Sequence, residues 1–224
     1  MGHETAPAVP PVVEGCQSEH ADVDQGAVLP LQLNVPERFA QVVYGVYRSG
    51  YPDALHLDVW KEIGIKTILP LSRFVKEDYA SAVKVYLAEN DVHSLCVPIV
   101  PNKEGSAKST HETVNKVMEI LMDSKNHPIV VHCNQGKHRT GSMIGCFRTL
   151  QGWEHEDIVA EYRHFAGRKA RALDEAFIKA YEPSLSVRKT AEDLNVSSWA
   201  IVPDALAGDS FGERDALSQD EPKV

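Results

Sequence analysis

The chain predicts an α/β domain, a central and mostly parallel sheet between helical layers. Three observations carry that expectation. Short apolar runs recur at Val42–Tyr47, Thr67–Leu71, His93–Pro98 and Ile129–His132, each of a length that suits a buried strand. Between them lie longer stretches whose apolar residues return at helical spacing. The two kinds of segment alternate, and strands separated by helices pair side by side in parallel.

Taken in order, Val42–Tyr47 reads as the first strand, ending in a turn at Gly50-Tyr51-Pro52-Asp53. A helix follows from Ala54 to Ile63 and stops at Gly64, the residue type that tolerates a left-handed helix end. Thr67–Leu71 is the second strand, and Asp78 is placed to cap a helix running to Glu89. His93–Pro98 is the third. Ser109-Thr110-His111-Glu112 has capping-box spacing and opens a helix through Val114, Val117, Met118 and Leu121. The β-branched run Ile129–His132 is the fourth strand. Helices are then expected at Thr140–Leu150, Glu156–Phe165 and Asp174–Tyr181. There is no internal repeat.

Net charge is −9 over 224 residues, but it is unevenly placed. Residues 1–30 hold five acids and no Lys or Arg, and residues 191–224 hold eight acids against Arg214 and Lys223, which leaves 31–190 at +2. The expected organisation is therefore an acidic disordered tail at 1–30, a folded domain at 31–190 and a second acidic, disordered tail at 191–224. Trp199 is expected to dock back on the domain. An acidic total without a basic, aromatic-studded helix disfavours nucleic acid as a partner. No stretch approaches the roughly 18 consecutive apolar residues of a membrane span, and no signal pattern opens the chain. The four cysteines (Cys16, Cys96, Cys133, Cys146) show no close pairing. A reducing compartment is expected, cytoplasm or nucleus.

Chemistry concentrates at Cys133-Asn134-Gln135-Gly136-Lys137-His138-Arg139-Thr140-Gly141. A strand precedes this run and a helix follows it. The loop therefore sits at a helix N-terminus, where unpaired amides and the positive dipole end attract anions. Gly136 and Gly141 let the backbone curl into an anion-binding nest. That field favours the thiolate of a cysteine at its base. Arg139 can fork two hydrogen bonds onto phosphoryl oxygens, which a lysine cannot. Cys133 is thus the candidate nucleophile, Arg139 the candidate clamp, and Thr140 a candidate hydroxyl donor to the sulfur. The pattern implies phosphoryl hydrolysis through phosphocysteine. No metal or cofactor is expected. A buried structural cysteine is the alternative, and the flanking glycines and arginine count against it.

His132-Cys133 with Arg139-Thr140-Gly141 resembles the dual-specificity branch of the protein tyrosine phosphatases. Gly136–Gly141, Val46-Tyr47-Arg48-Ser49, Asn102-Lys103-Glu104, Asn126-His127-Pro128, Glu161–Ala166, Lys169-Ala170-Arg171 and Asp174 with Phe177-Ile178 resemble the plant and fungal atypical members. The resemblance covers about residues 35–182 and implies a dual-specificity phosphatase-like fold. It further implies hydrolysis of the β-phosphate of 5-diphosphoinositol polyphosphates. A protein or phosphoinositide phosphatase is the alternative, with a phosphoprotein as its partner. A phosphate-binding scaffold without activity is the alternative of another class, and the intact Cys133 and Arg139 count against it. Gln135 departs from the basic residue usual there.

Two further points bear on the substrate. Between Asp91 and Asp123 there is no Asp, so Glu104 is the candidate acid; the alternative is a solvated loop glutamate. A phosphate leaving group needs that proton far less than a phenolate does. Basic residues also gather near the loop. Asn134, Gln135, Gly136, Lys137, His138, Lys103, Lys169 and Arg171 form the expected substrate-binding set, more charge than one phosphotyrosine requires. Arg163 and Arg168 are either part of it or a solvated helix face. Cys96 and Cys146 read as core, with Cys96 alternatively a disulfide partner for an oxidised Cys133. Oligomeric state is open.

Overall fold

Hydrogen bonding and apolar burial together produce a five-stranded sheet of order β1-β2-β5-β3-β4. The computed structural model describes residues 34–73, 77–104 and 109–200. The strands are β1 (Ala40–Val43), β2 (Val46–Ser49), β3 (Thr67–Pro70), β4 (His93–Ser94) and β5 (Ile129–His132). β2, β5, β3 and β4 pair in parallel and only β1 runs antiparallel, against β2. Seven helices complete the described residues: α1 (Leu57–Ile63), α2 (Glu77–Asn90), α3 (His111–Met122), α4 (His138–Leu150), α5 (His155–Ala166), α6 (Ala172–Lys179) and α7 (Leu185–Asp193).

The two sheet faces are covered by different apolar clusters. Trp60, Ile68, Tyr86 and Val130 pack beneath α1 and α2. Val46, Leu69, Val131, Met118, Ile144 and Phe147 fill the other face under α3 and α4. Residues 129–132 of β5 are all buried, as befits the middle strand of the sheet. Burial of such side chains stabilises the domain by roughly 1.5–3 kcal/mol each. Among the described residues, no helix is long and apolar enough to cross a membrane.

Several sequence expectations shift by a few residues, each for a local reason. The single strand expected at 42–47 is a hairpin, because Gly45 takes φ 78° and turns the chain between β1 and β2. The strand expected at 93–98 keeps ladder pairing only at His93 and Ser94; beyond them Val97 and Ile99 donate singly to Pro70 and Leu71. Gly64 ends α1 in the left-handed conformation, as expected. Asp78 lies inside α2 rather than before it. Thr110, not Ser109, caps α3, accepting from the Thr113 amide, while Ser109 accepts from Val100 N–H.

The boundary expected at 190 is corrected outward. α7 runs through it, Ala191 and Val196 are buried, and Trp199 lies edge-on to His127 and against Phe147. Gln151 donates to the carbonyls of Val196 and Trp199, and Tyr44 N–H donates to Ala200 O, so the packed body continues to residue 200. The acids that made 191–224 look like one tail hide apolar anchors at its start. The expected tail at 1–30, and residues 201–224 of the one expected at 191–224, lie outside the described residues. Trp60 is buried as a packing residue, but Trp153 is 41% exposed and stacks under the Arg148 guanidinium. Cys146 is core, whereas Cys96 is exposed, a correction that follows from the short β4.

Candidate active site

The site forms where β5 ends and α4 begins. Cys133 follows the last residue of β5 and is 3% exposed. Asn134 and Gln135 form the exposed crest, Gly136 is buried again, and α4 starts at His138. The polypeptide curls because Gly136 adopts φ 67°, and a Cβ there would lie 2.7 Å from Gly50 N and 2.8 Å from Ser49 O. Only glycine satisfies both demands.

Three side chains and one backbone amide from elsewhere brace the loop. Arg48 at β2 is 1% exposed; its Nη2 donates to Gly136 O at 2.9 Å and its guanidinium lies 3.6 Å from the Phe165 ring centroid. Its Nε and Nη1 have no hydrogen-bond partner among the described residues. Burial lowers its pKa to about 10, opposed by Glu161 and Cys133, so Arg48 stays a cation at neutral pH beneath the loop. Arg38 Nη1 donates to Gln135 O at 3.0 Å. Ser72 Oγ donates to Asn134 Oδ1 at 3.2 Å, tying the crest to the segment after β3. Tyr51 N–H donates to Asn134 O.

Asp174 is the hub behind the loop. It is 1% exposed and lies at the start of α6. Tyr162 OH donates to its Oδ2 at 2.6 Å, His138 Nδ1 lies 3.0 Å from the same oxygen, and Asn102 Nδ2 donates to Oδ1 at 2.9 Å. Ser142 Oγ adds a longer contact to Oδ1 at 3.4 Å. Burial pushes its pKa up, but the hydrogen bonds from His138, Tyr162 and Asn102 outweigh it, so the carboxyl titrates below its ordinary value. One carboxylate thus fastens α4, α5, α6 and the segment carrying Lys103 and Glu104.

The expected site residues sort accordingly. Cys133, Gly136, Arg139 and Thr140 come together in one turn of chain. Arg139 Nη1 reaches Leu71 O at 3.5 Å, and Thr140 Oγ1 is buried without a hydrogen-bond partner among the described residues. Lys137 and Lys169 border one cleft of about 430 Å³. Lys103, Glu104 and Arg171 border a second, more open one of about 520 Å³. His138 and Asn134, expected at the substrate, engage Asp174 and Ser72 through Nδ1 and Oδ1. Arg163, left open between substrate and solvent, forms a bidentate pair with Glu175.

Sequence reasoning assigned no role to Asp174, Tyr162, Asn102 or Arg38. A signal for Asp174 exists: with Phe177 and Ile178 it shares the buried face of α6, at i, i+3 and i+4. An acid at a core position of a helix needs buried partners. Arg38 has no comparable signal, since its place beside Gln135 depends on how two distant segments meet.

His132, before the nucleophile, is buried between Trp60 and Tyr51. Burial, helped by Arg139, lowers its pKa to about 4 against a Cys133 backbone hydrogen bond. It is neutral at pH 7 and suited to orienting the loop.

Comparison with known proteins agrees with this geometry. The yeast (Saccharomyces cerevisiae) inositol diphosphatase SIW14 is 39% identical over 156 residues, covering 69% of this chain and 54% of that protein. The rice (Oryza sativa subsp. japonica) inositol diphosphatase DSP1 is 34% identical over 149 residues, 66% of each chain. The chain thus spans about half the length of the yeast relative and about two thirds of the rice one. The crystal structure of the core catalytic domain of the yeast PP-IP phosphatase SIW14, in complex with citrate, superposes with a TM-score of 0.66 at 33% identity. That match covers 74% of this chain and 98% of the other. A family model described as the tyrosine phosphatase family matches residues 33–200, which are the packed body traced above. The chain belongs to the tyrosine phosphatase family.

Proposed function

We propose that the protein is a cysteine-dependent phosphatase that hydrolyses the β-phosphate of 5-diphosphoinositol polyphosphates through a phosphocysteine intermediate. The observation that carries this reading is Cys133 at the base of a loop whose turn at Gly136 only glycine can make, with Arg139 in the first turn of α4. The substrate class rests on the relatives' activity and on the basic cleft beside Lys137.

Cys133 attacks phosphorus in line with the leaving phosphate. Loop amides and the Arg139 fork hold the charge spread over the transferring oxygens. The sulfur–phosphorus bond then yields to water, and the unspent Thr140 hydroxyl donates to the departing sulfur. A phosphate leaving group has a second pKa near 6, so weak acid assistance from exposed Glu104 suffices. A thiolate nucleophile is preserved in a reducing compartment, which supports the cytoplasm or nucleus as its location.

Phosphate release from 5-diphosphoinositol pentakisphosphate, beside a phosphotyrosine peptide, tests the proposal. Turnover of the pyrophosphate is expected to exceed that of the peptide and to vanish in Cys133→Ser. Glu104→Gln is expected to slow the peptide more than the pyrophosphate. Fast peptide turnover with an inert pyrophosphate sinks the substrate in favour of a phosphoprotein; activity surviving in Cys133→Ser sinks the mechanism.

A further inference from the structure

All four residues of β2 are buried, and one of them is Arg48. It stands level with Val131 of β5 in a parallel pair. Residues opposite each other in neighbouring strands share a face of the sheet, and so do residues two apart along one strand. Arg48 therefore leaves the sheet on the side where Val46, Val131 and Cys133 join one apolar cluster. The strand register thus carries a guanidinium to the underside of the phosphate loop. Its Nη2 reaches both limbs of that turn: it donates to Gly136 O, and a Cβ on Gly141 would lie 3.9 Å from it.

A cation so enclosed is costly unless an anion answers it. The face of the Phe165 ring offers it a quadrupole, not a charge. Arg48 forms no salt bridge among the described residues. The charged groups that act on it are Glu161, Cys133, Arg148 and Arg38. Glu161, the one carboxylate of the four, is already forked by Arg148, whose Nε and Nη2 donate to it at 3.0 and 2.8 Å. Arg38 is paired with Glu37. That leaves the Cys133 sulfur as the group whose negative charge Arg48 can answer. Within the loop, His132 is neutral and Arg139 serves the transferring phosphoryl. At 1% exposure, Arg48 is closed to substrate.

We propose that Arg48 is a positioning residue of the reaction, a fixed cation beneath the phosphate loop that holds the Cys133 sulfur as an anion before attack. It acts through Cys133, without meeting the phosphoryl group. For the reaction served, the inference rests on the function proposed above. Arg139 does its work once a phosphoryl group has entered, whereas Arg48 is in place while the site is empty and the thiolate must persist. Each of the two buried charges offsets the cost of the other. The same Nη2 keeps Gly136 O outside the loop. A trans peptide points its C=O and N–H in opposite directions, so the Lys137 amide turns toward the anion.

The test is alkylation of Cys133 by iodoacetamide in the full chain, followed by mass spectrometry of the peptide that carries it. Rates are measured at about pH 7 and about pH 10, where an ordinary thiol is already ionised, and their ratio is compared between proteins. Arg48→Met is expected to lower the ratio of the neutral to the alkaline rate about tenfold. Arg48→Gln, which keeps an N–H donor for Gly136 O, is expected to lower it by a similar factor. Arg48→Lys, which restores the charge, is expected to stay within about threefold of wild type. A residue that only shaped the loop would move both rates alike and leave the ratio where it was. Ratios within about twofold of wild type in Arg48→Met and Arg48→Gln overturn the proposal, and Arg48→Gln decides alone should Arg48→Met not fold. Alkylation needs no turnover. If the ratio depends on Arg48 but the wild type hydrolyses neither 5-diphosphoinositol pentakisphosphate nor the phosphotyrosine peptide, the proposed function fails and the hold of Arg48 on the sulfur stands.

Discussion

Two residues of the loop illustrate how narrowly the site is specified. Gly136 combines φ 67° with backbone on the side where a Cβ would point. Gly136→Ala is therefore expected to cost about 1–3 kcal/mol of stability and most of the activity, read by thermal melts beside turnover. His132 makes a different prediction. Its imidazole titrates near 6.5 when exposed and near 4 when buried here, so between those values the unfolded chain binds a proton that the folded one refuses. Stability accordingly falls as pH drops from about 6.5 to 4, by roughly 3 kcal/mol in total. Asp174, whose folded pKa is lowered, withdraws its own contribution only further down, as it protonates. Melting temperature measured from pH 7 to 4.5 is expected to decline, and His132→Gln to flatten that decline. An equal slope in the variant would assign the acid lability elsewhere.

Three helices and the Asn102 segment meet at Asp174, and there a single substitution reaches all four. Asp174→Asn keeps the shape but turns an amide N–H₂ toward Tyr162, His138, Asn102 or Ser142, all of which the carboxylate satisfies now. A loss of about 2–4 kcal/mol is expected, together with a fall in kcat/KM, because the Asn102 segment and α4 lose their common anchor. Calorimetry with turnover on the same preparation checks both. This hub also marks the limit of what the sequence makes legible. The strand–loop–helix around Cys133 could be read directly, since its signals are local: a β-branched run, two glycines, an arginine at fixed offset. The sheet order and the Asp174 network could not, since they depend on contacts such as Asn102 to Asp174, 72 positions apart. The hairpin at Gly45 was hidden for a simpler reason: Val42–Tyr47 is apolar on both sides of the turn, so periodicity alone saw one strand. Charge counting likewise merged residues 191–200 with the acidic stretch after them, although Val196 and Trp199 pack on the domain.

Over the whole molecule, recognition and scaffolding occupy opposite ends of one short strand. At the start of β5, His127 meets Trp199 and Gly45 O accepts from Ile129 N–H; at its end lie Cys133 and the two clefts. The four residues of β5 set nucleophile position against the rigid core, whereas the loop's outer supports come from α5, α6 and the Asn102 segment. α6 is a short helix of eight residues, of which Asp174, Phe177 and Ile178 are buried. Elements with few buried contacts open at lower free energy than the sheet. α6 is expected to work as a fuse. On warming, its departure would release Asp174, slacken the phosphate loop and silence the enzyme while the sheet is still intact. The midpoint for loss of turnover is expected below the midpoint for loss of far-ultraviolet circular dichroism, and coincident midpoints would show that the helix and the sheet fail as one.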